Sequence, residues 1–397
     1  MIIQMIGIGP GTEALLTQEA LQKIREADLV LTNDRLFEAF GYLNPNTMSC
    51  TLSEIEAKIN EHKGLSKIAV LASGDVGFYS LSNTLKPFLE ADQVEWISGI
   101  SSLQYLAARL KQDYSSVKVV SVHGRDRSVI PFVSYHENVF VLTGGAHKAH
   151  DVIADLVQSG LGNVRVTAGE NLSMAGERLI TAEACQLTDL RFDNLSVLWI
   201  NNPQYVHHSN TLYDEDFERK CVPMTKGAVR EYSLAKLDIQ PGEVVYDLGS
   251  GTGSVAVAMA RRAHESFVYA VEKSQDAIEL IRLNRQKLGA FNIKLIEGTA
   301  PECLENLPAP DKVFIGGAGG KVDAVIDTVF RKNPRARIVV NAITLETLQE
   351  TLQSFERHNF RSQIQCLAVT EVEAVGKYHM MKAQNPIYVM MGERVCG

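Results

Sequence analysis

Short apolar runs alternate with segments of helical period along the chain, and this alternation predicts an α/β protein. The helical segment Thr17–Ala27 begins with a residue suited to cap a helix N-terminus, and a second helix is predicted at Ile100–Leu110. Strands of the first half are predicted at Ile2–Ile6, Leu29–Leu31, Lys67–Ala72, Val94–Ile97, Val117–Val122, Val139–Leu142, Val164–Thr167 and Ser196–Ile200.

The second half alternates more regularly, which predicts a parallel sheet with helices on both faces. Its strands are predicted at Val244–Asp247, Phe267–Glu272, Ile293–Glu297, Lys312–Ile315, Arg337–Asn341, Ser362–Thr370 and Pro386–Met391. Its helices are predicted near Gly253–Ala263, Gln275–Leu288, Val322–Arg331 and Leu345–Phe355.

A polar, acidic stretch without clear period separates the two halves. Such composition is typical of a linker. We therefore predict a first domain at 1–205, a linker at 206–220 and a second domain at 221–397.

Composition and charge restrict the class of protein. The formal net charge of −8 disfavours a dominant nucleic-acid role, because such domains usually carry a basic patch. The 6 cysteines are scattered without C-x-x-C spacing, so no metal site is expected. The N-terminus lacks the features of a signal peptide, and a cytoplasmic location is expected.

A glycine-rich turn in the second half is the most informative motif. Asp247 and Leu248 end an apolar strand and lead into Gly249-Ser250-Gly251-Thr252-Gly253, and the next strand ends in Glu272. A carboxylate at that position offers two acceptor oxygens to the two hydroxyls of a ribose. Asp247 can hold the glycine loop or a nearby ammonium group. The combination resembles motifs I and II of class I S-adenosylmethionine methyltransferases.

Segments around this turn make the resemblance more specific. Pro223–Arg230, Gly298–Glu302, Phe314–Gly320 and Asn341–Thr347 are similar to segments of the C15-methylating, decarboxylating enzymes of corrin-ring synthesis. Ala318 departs from that family, which usually has serine there. The resemblance implies S-adenosylmethionine contacts at Thr225, Gly249–Gly253, Glu272 and Ala300.

The glycine-rich turn of the first half, Gly7–Gly11, follows a different rule. Pro10 removes a backbone N–H that a phosphate would need, so a dinucleotide site is disfavoured. Together with Leu71–Asp75, Ser98–Ser102 and Val141–Thr143, the turn resembles the tetrapyrrole (class III) methyltransferase family. The cofactor contacts that this resemblance implies are Pro10, Ser73, Gly74, Asp75, Phe78, Ser101, Ser102 and Thr143.

The two resemblances together imply a tetrapyrrole-methylase fold of two α/β subdomains followed by a class I Rossmann-like domain. They imply a corrin methyltransferase of vitamin B12 biosynthesis that acts on a small-molecule tetrapyrrole. The first half would methylate C5, and the second would methylate C15 and decarboxylate an acetate arm. A homo-oligomer is expected. An RNA methyltransferase and a non-catalytic binding protein remain alternatives, and a cobalt-containing or metal-free substrate is equally open.

Methyl transfer depends mainly on alignment, so few catalytic side chains are expected. The second half would need cations or hydrogen-bond donors for substrate carboxylates. The candidates for binding carboxylates are Lys226, Arg230, Lys321, Lys377, His379 and Lys382 in the second half, and Arg125 and Arg127 in the first. Lys226 is a candidate catalytic residue. Tyr378 and His379 are placed beside the C15 site by hypothesis, because they are predicted to lie in a loop before the final strand.

Overall fold

The computed structural model describes residues 1–80, 85, 94–123, 127–317 and 319–394. The chain forms two compact units. Unit 1 comprises Met1–Val129, Asn138–Gln158 and Gly162–Asn201, and unit 2 comprises Ile130–Glu137, Ser159–Leu161 and Asn202–Gly397. Within the described residues, no helix is both long enough and apolar enough to span a membrane.

Unit 1 begins with a parallel sheet of five strands in the order β3-β2-β4-β1-β5. The strands are β1 (Ile2–Gly7), β2 (Leu29–Thr32), β3 (Thr47–Ser49), β4 (Lys67–Ala72) and β5 (Val94–Ile97). The helices that follow them include α1 (Gln18–Glu26), α2 (Asp34–Phe40) and α3 (Leu52–Glu61). Thr17 caps α1 as predicted, since its side chain accepts a hydrogen bond from Ala20 N.

A second five-stranded sheet of unit 1 is mixed, in the order β6-β7-β10-β8-β9. Its strands are β6 (Lys118–Ser121), β7 (Asn138–Leu142), β8 (Arg165–Glu170), β9 (Arg178–Glu183) and β10 (Ser196–Asn201). The helices are α4 (Ser102–Leu110) and, between β7 and β8, α6 (Ala149–Gln158). The short helix α5 (Ile130–Tyr135) belongs to unit 2, where Tyr135 donates a hydrogen bond to Asn292.

Unit 2 is built on a seven-stranded sheet in the order β13-β12-β11-β14-β15-β19-β16. Its first five strands are parallel: β11 (Val245–Leu248), β12 (Val268–Glu272), β13 (Ile293–Glu297), β14 (Lys312–Ile315) and β15 (Arg337–Ala342). The antiparallel strands β16 (Arg361–Leu367) and β19 (Ile387–Glu393) complete it. The chain reverses direction across the sheet between β11 and β14, where ligands of open α/β sheets bind.

Helices cover both faces of this sheet: α7 (Gly227–Leu237), α8 (Ser254–Arg262), α9 (Gln275–Lys287), α10 (Val322–Lys332) and α11 (Leu345–Arg357). They bury two apolar clusters, one on each face, because side chains of successive strand residues point to opposite faces. Val245 packs in one cluster and Tyr246 in the other. The α/β architecture predicted from the sequence is confirmed.

The segment predicted as a linker, residues 206–220, packs as part of unit 2. Leu212 and Phe217 of this segment are buried in the core of that unit. Arg230 donates to the carbonyl of Leu212 and to the carboxylate of Asp214. Two buried apolar residues in an acidic segment are enough to attach it to the domain that follows.

A two-stranded hairpin was missed by the sequence analysis. It consists of β17 (Thr370–Val375) and β18 (Tyr378–Ala383), and every residue of both strands is exposed. Tyr378 and His379 therefore lie in a strand and not in the predicted loop. The β18 segment, Tyr-His-Met-Met-Lys-Ala, does not alternate regularly between apolar and polar residues and has no buried face, so its pattern did not predict a strand.

Candidate active sites in the two units

The glycine loop of unit 2 turns sharply after β11. Gly249, Gly251 and Gly253 all have positive φ angles, of 74°, 56° and 78°. A Cβ on Gly249 would lie 2.4 Å from the carbonyl oxygen of Gly317. Because this contact is with backbone, only glycine permits the loops after β11 and β14 to meet.

Asp247, in the strand that precedes this loop, holds the loop through a hydrogen bond. Its side chain is fully buried, and its Oδ2 accepts a hydrogen bond of 2.6 Å from the Ser250 hydroxyl. Burial, with a smaller contribution from the charge of Glu272, raises the pKa of Asp247 to about 7. Asp247 is absent from the described cavity lining, and its hydrogen bond to Ser250 supports the loop-holding role predicted for it. Its contact with an ammonium group stays a prediction.

Glu272 ends β12 beside the same loop. One carboxylate oxygen accepts from Gly251 N at 2.9 Å, and the other accepts from Lys273 N and Ser274 N at 2.8 and 3.0 Å. A carboxylate has about four acceptor positions, so three amide donors leave room for a further donor. Glu272 is thereby oriented at the cavity wall with capacity for a hydroxyl group.

A cavity of about 1070 Å³ opens at these loops and is called the unit 2 cavity. Among the residues predicted to contact the cofactor or to act in catalysis, its lining contains Thr225, Lys226, Gly249, Ser250, Gly251 and Glu272. Gly253 instead packs on Ile281 of α9, with a Cβ position 3.2 Å from that side chain. Thr252 and Ala300 are buried and are absent from the described lining. Their predicted contacts stay predictions.

The hairpin contributes charged side chains to the lining of this cavity. Lys382 on β18, a predicted contact for substrate carboxylates, lines it together with Glu371 and Glu373 on β17, which the sequence analysis did not single out. In the antiparallel register Glu371 faces Lys382, whereas His379 faces Ala374 and Tyr378 faces Val375 at the far end. Neither Tyr378 nor His379 is among the described lining residues. Their catalytic role stays a prediction.

The candidate cations of unit 2 differ in their surroundings. Arg230 is fully buried and bonds Asp214, Thr225 and Leu212, so it is a structural cation and not a substrate contact. Lys321 pairs with Glu302 away from the described lining. Lys226 lines the cavity, with its Nζ 3.9 Å from the nearest carboxylate oxygen of Asp214. Arg125 and Ala318 lie outside the described residues.

Asn341 was quoted in a motif but not proposed as a contact. It follows the apolar core of β15 and lines the unit 2 cavity. Its side-chain oxygen accepts a hydrogen bond of 3.0 Å from Ser233 on α7. A polar residue at the carboxyl end of an apolar strand was the signal for it.

Three glycine loops meet at the carboxyl edge of the parallel sheet in unit 1. Gly9 and Gly74 exchange backbone hydrogen bonds of 3.1 and 2.8 Å. A Cβ on Gly99 would lie 2.3 Å from Gly74 O and 2.6 Å from Gly7 C. The loops after β1, β4 and β5 therefore pack at backbone distance.

Asp75 joins two of these loops. Its carboxylate oxygens accept from Gly77 N at 2.9 Å and from Gly99 N at 3.0 Å. Ser101, also predicted as a cofactor contact, caps α4 through Gln104 N and is buried. Both side chains are absent from the described cavity lining, so they position the loops from outside it.

A cavity of about 570 Å³, called the unit 1 cavity, opens beside these loops. Of the predicted contacts, its lining contains Pro10, Ser73, Gly74, Phe78, Ser102 and Thr143. Thr143 donates its hydroxyl to Ser196 O at 2.6 Å. The sequence analysis did not single out Arg35, which also lines this cavity.

Each half of the chain matches a different protein-family model. A model described as tetrapyrrole (corrin/porphyrin) methylases matches residues 3–188, and one described as a precorrin methyltransferase domain matches residues 215–394. The precorrin-6Y C(5,15)-methyltransferase [decarboxylating] of Sinorhizobium sp is 30% identical over 358 residues, which is 87% of this chain and 85% of that protein.

Two further relatives match the second half. The probable cobalt-precorrin-6B C(15)-methyltransferase (decarboxylating) of Pyrobaculum calidifontis is 37% identical over 180 residues, 45% of this chain and 92% of that protein. The crystal structure of precorrin-6y C5,15-methyltransferase from Geobacter metallireducens GS-15 is 34% identical and has a TM-score of 0.45. That comparison covers 46% of this chain and 96% of the other.

Proposed function

Because this chain belongs to the precorrin-6Y C5,15-methyltransferase (decarboxylating) family, we propose that its two units divide the two methylations between them. The chain is an S-adenosylmethionine-dependent methyltransferase of cobalamin biosynthesis. It methylates precorrin-6Y, or the cobalt form of that tetrapyrrole, at C5 and C15 and decarboxylates the acetate side chain at C12. Unit 1 carries out the C5 reaction, and unit 2 carries out the C15 reaction and the decarboxylation.

One observation carries this division: each unit has its own glycine-lined cavity. The model of tetrapyrrole methylases matches the residues that contribute the first cavity except Asn194–Val197, and the precorrin methyltransferase model matches all those that line the second. Two cavities of unrelated construction are expected if two ring carbons are methylated by different domains.

The residues of unit 2 fit S-adenosylmethionine. The loop at Gly249–Gly251 presents backbone to the cavity, and the carboxylate of Glu272 retains about one acceptor position for a ribose hydroxyl. Thr225, for which the family resemblance predicts a contact with the cofactor, lines the same cavity. When bound, the cofactor supplies an electrophilic methyl group. The chain itself binds and orients the reactants and excludes water.

The residues of unit 1 fit the same cofactor in another way. Pro10, Ser73, Gly74, Phe78, Ser102 and Thr143 line one cavity although they come from several separate segments. The backbone hydrogen bonds between Gly9 and Gly74, and the close approach of Gly99 that leaves no room for a Cβ beside Gly74, fix those segments relative to one another. The lining combines the hydroxyl groups of Ser73, Ser102 and Thr143 with the aromatic rings of Phe78 and Tyr79, which suits a nucleoside.

Decarboxylation requires that the electron pair of the broken C–C bond enters the conjugated macrocycle. The remaining substrate carboxylates then need partners in unit 2. Lys226 and Lys382 line its cavity and can donate to them. We propose Lys226 as a contact of the reacting acetate arm, and Tyr378 and His379 are kept as candidates to be tested by mutation.

The division of labour is tested on the full chain with S-adenosylmethionine labelled with ¹³C in its methyl group. The wild type is expected to give two labelled methyl groups, at C5 and C15. Gly249→Ala is expected to lose the C15 methyl group and the decarboxylation and to retain C5 methylation, while Gly99→Ala has the converse effect.

Gly242→Ala is the matched control, since a methyl group on Gly242 would meet no described atom within 4 Å beyond its two chain neighbours, and the φ of this residue is not positive. Loss of both methyl groups from a folded Gly249→Ala variant would contradict the division between units. Failure of the wild type to methylate the tetrapyrrole would contradict the activity itself.

Cytoplasmic location and self-association remain proposals from the sequence and the family resemblance. The RNA methyltransferase alternative has no specific observation in its favour. A salt-sensitive mobility shift of RNA by this protein in a binding gel would support that alternative.

A further inference from the structure

The unit 1 cavity contains a guanidinium group that has no carboxylate partner in the part of the chain that the structure describes. Arg35 lies in the first turn of α2 and is half-buried in the cavity lining. Its Nη2 donates a hydrogen bond of 2.8 Å to Ser73 Oγ, and no ion pair of Arg35 occurs among the described residues. Neighbouring Asp34 instead accepts from the hydroxyl of Ser49.

Such a group is costly unless something compensates it. Removing a charge from water is unfavourable without an opposite charge or a full set of hydrogen bonds. Burial lowers the pKa of Arg35 below its ordinary value, and one hydroxyl leaves most of its five N–H donors for solvent or a ligand. A half-buried arginine in a cavity is therefore complementary to an anionic ligand.

The rest of the described cavity lining offers no opposite charge to Arg35. In the described part of that lining, Arg35 is the one permanently charged side chain and no carboxylate occurs. The imidazole of His123 belongs to the same lining. The unit 2 cavity is different, because Glu272, Asp276, Glu371 and Glu373 line it.

Of the two reactants, the tetrapyrrole is the better partner for this charge. S-adenosylmethionine combines a sulfonium, an ammonium and one carboxylate, so its net charge is positive and a guanidinium repels it overall. The tetrapyrrole carries several acetate and propionate carboxylates. A planar guanidinium can bind one of them through two parallel hydrogen bonds.

We propose that Arg35 binds a side-chain carboxylate of the tetrapyrrole in the unit 1 cavity and thereby sets which edge of the macrocycle faces the methyl donor. This inference rests on the proposed function of unit 1. Ser73 positions the guanidinium by accepting its Nη2 hydrogen bond. The C15 reaction in unit 2 does not depend on Arg35.

The experiment compares C5 and C15 methylation in Arg35→Gln, Arg35→Lys and the wild type, with ¹³C-methyl S-adenosylmethionine and the family's tetrapyrrole substrate. Arg35→Gln is expected to raise the KM for the tetrapyrrole in the C5 reaction by about 10- to 100-fold. The KM for S-adenosylmethionine and the C15 reaction are expected to be unchanged. Arg35→Lys restores part of the affinity, because it keeps the charge but not the planar pair of donors.

Two controls separate charge recognition from loss of structure. Arg25→Gln removes an exposed arginine of α1 in the same unit and is expected to leave both reactions unchanged. Raising the salt concentration should raise the wild-type KM of the C5 reaction, and Arg35→Gln should lose most of this dependence. Damage to the fold would not remove a salt dependence in that selective way.

An unchanged C5 KM in Arg35→Gln would overturn the proposal, and so would an equal rise in the KM for S-adenosylmethionine, which would assign Arg35 to the cofactor. If Arg35→Gln fails to fold, Arg35→Lys tests the proposal instead. A lysine cannot form the two parallel hydrogen bonds of a guanidinium, so a C5 KM and a salt dependence equal to those of the wild type, at a normal C15 rate, would exclude bidentate binding of the carboxylate. A wild type that transfers no methyl group to C5 would overturn the proposed function instead.

Discussion

Ser250 donates a hydrogen bond of 2.6 Å to the buried carboxylate of Asp247, so the glycine loop of unit 2 is tied to the strand that precedes it. Burial raises the pKa of Asp247 from 3.8 to about 7. The loop that lines the unit 2 cavity is therefore attached to a group that titrates near neutral pH.

The pKa of Asp247 predicts how the stability of unit 2 depends on pH. Because the folded-state pKa is raised, the stabilisation from the protonated acid is complete below about pH 4 and is lost as the pH rises through about 7. Asp247→Asn keeps an acceptor for Ser250 but cannot ionise. We expect the wild type to lose stability relative to this variant between pH 5 and pH 9, by an amount on the order of 3 kcal/mol.

Amide hydrogen exchange of Val245–Leu248, corrected for intrinsic rates, measures this difference within unit 2. Tryptophan fluorescence would not, because the 2 tryptophans of the chain, Trp96 and Trp199, both lie in unit 1. A difference between the variant and the wild type that stays constant with pH would show that Asp247 does not titrate in this range.

Glu272→Gln tests the acceptor that unit 2 offers to the ribose. The amide removes one acceptor oxygen and places an N–H group among the backbone donors of Gly251, Lys273 and Ser274. We expect binding of S-adenosylmethionine in unit 2 to weaken by about 10- to 100-fold, the usual cost of losing a hydrogen bond to a charged group. Calorimetric titration should show one site weakened and the other retained.

Glu297→Gln is the matched control for this substitution. Glu297 is the register partner of Glu272 on β13, and it forms an exposed ion pair with Arg282. Such a pair contributes about 1 kcal/mol or less. Equal loss of affinity in both variants would mean that Glu272 has no special role.

Arg230 and Lys226 look alike in sequence but should behave differently. Arg230→Met removes the buried donor that serves the carbonyl groups of Leu212 and Thr225 and the carboxylate of Asp214, and should destabilise unit 2 by about 3–5 kcal/mol. Lys226→Gln loses only a long, partly exposed pair with Asp214, worth about 1 kcal/mol or less.

Kinetics should show the reverse order. Lys226→Gln is expected to raise the KM of the C15 reaction several-fold, whereas residual folded Arg230→Met retains a normal KM. Urea unfolding and the C15 assay on the same samples measure both effects. A raised KM for the C15 reaction with normal stability in Arg230→Met would instead show that Arg230 contacts the substrate.

The glycine loops were predictable because their signal is local. An apolar strand followed by Gly249, Gly251 and Gly253 specifies a sharp turn from neighbouring residues alone, and the acid at 272 follows at the next strand end. Thr17 was predictable as a helix cap for the same reason.

Other features depend on contacts between residues far apart in sequence. Nothing near Arg230 indicates burial, which results from packing beside Phe217 and from the carbonyl of Leu212. The strand β9 was missed because it is an edge strand with partly exposed side chains. The role of Arg35 could not be predicted from its neighbours in the sequence, because it depends on Ser73, which is distant along the chain but lines the same cavity.

The hairpin provides the last prediction. His379 is exposed and lies opposite Ala374 in the hairpin register. Glu371 and Glu373 are an odd number of residues from Ala374 along β17, and Lys382, which pairs with them, is an odd number of residues from His379 along β18. Because side chains alternate between faces of a strand pair, His379 is on the other face from the charged side chains that line the unit 2 cavity. We therefore expect His379→Ala to keep the C15 methylation rate within about twofold, while Lys382→Gln raises the KM of that reaction. A loss of C15 methylation in His379→Ala, with normal unfolding and unchanged C5 methylation, would instead support the catalytic role predicted from the sequence.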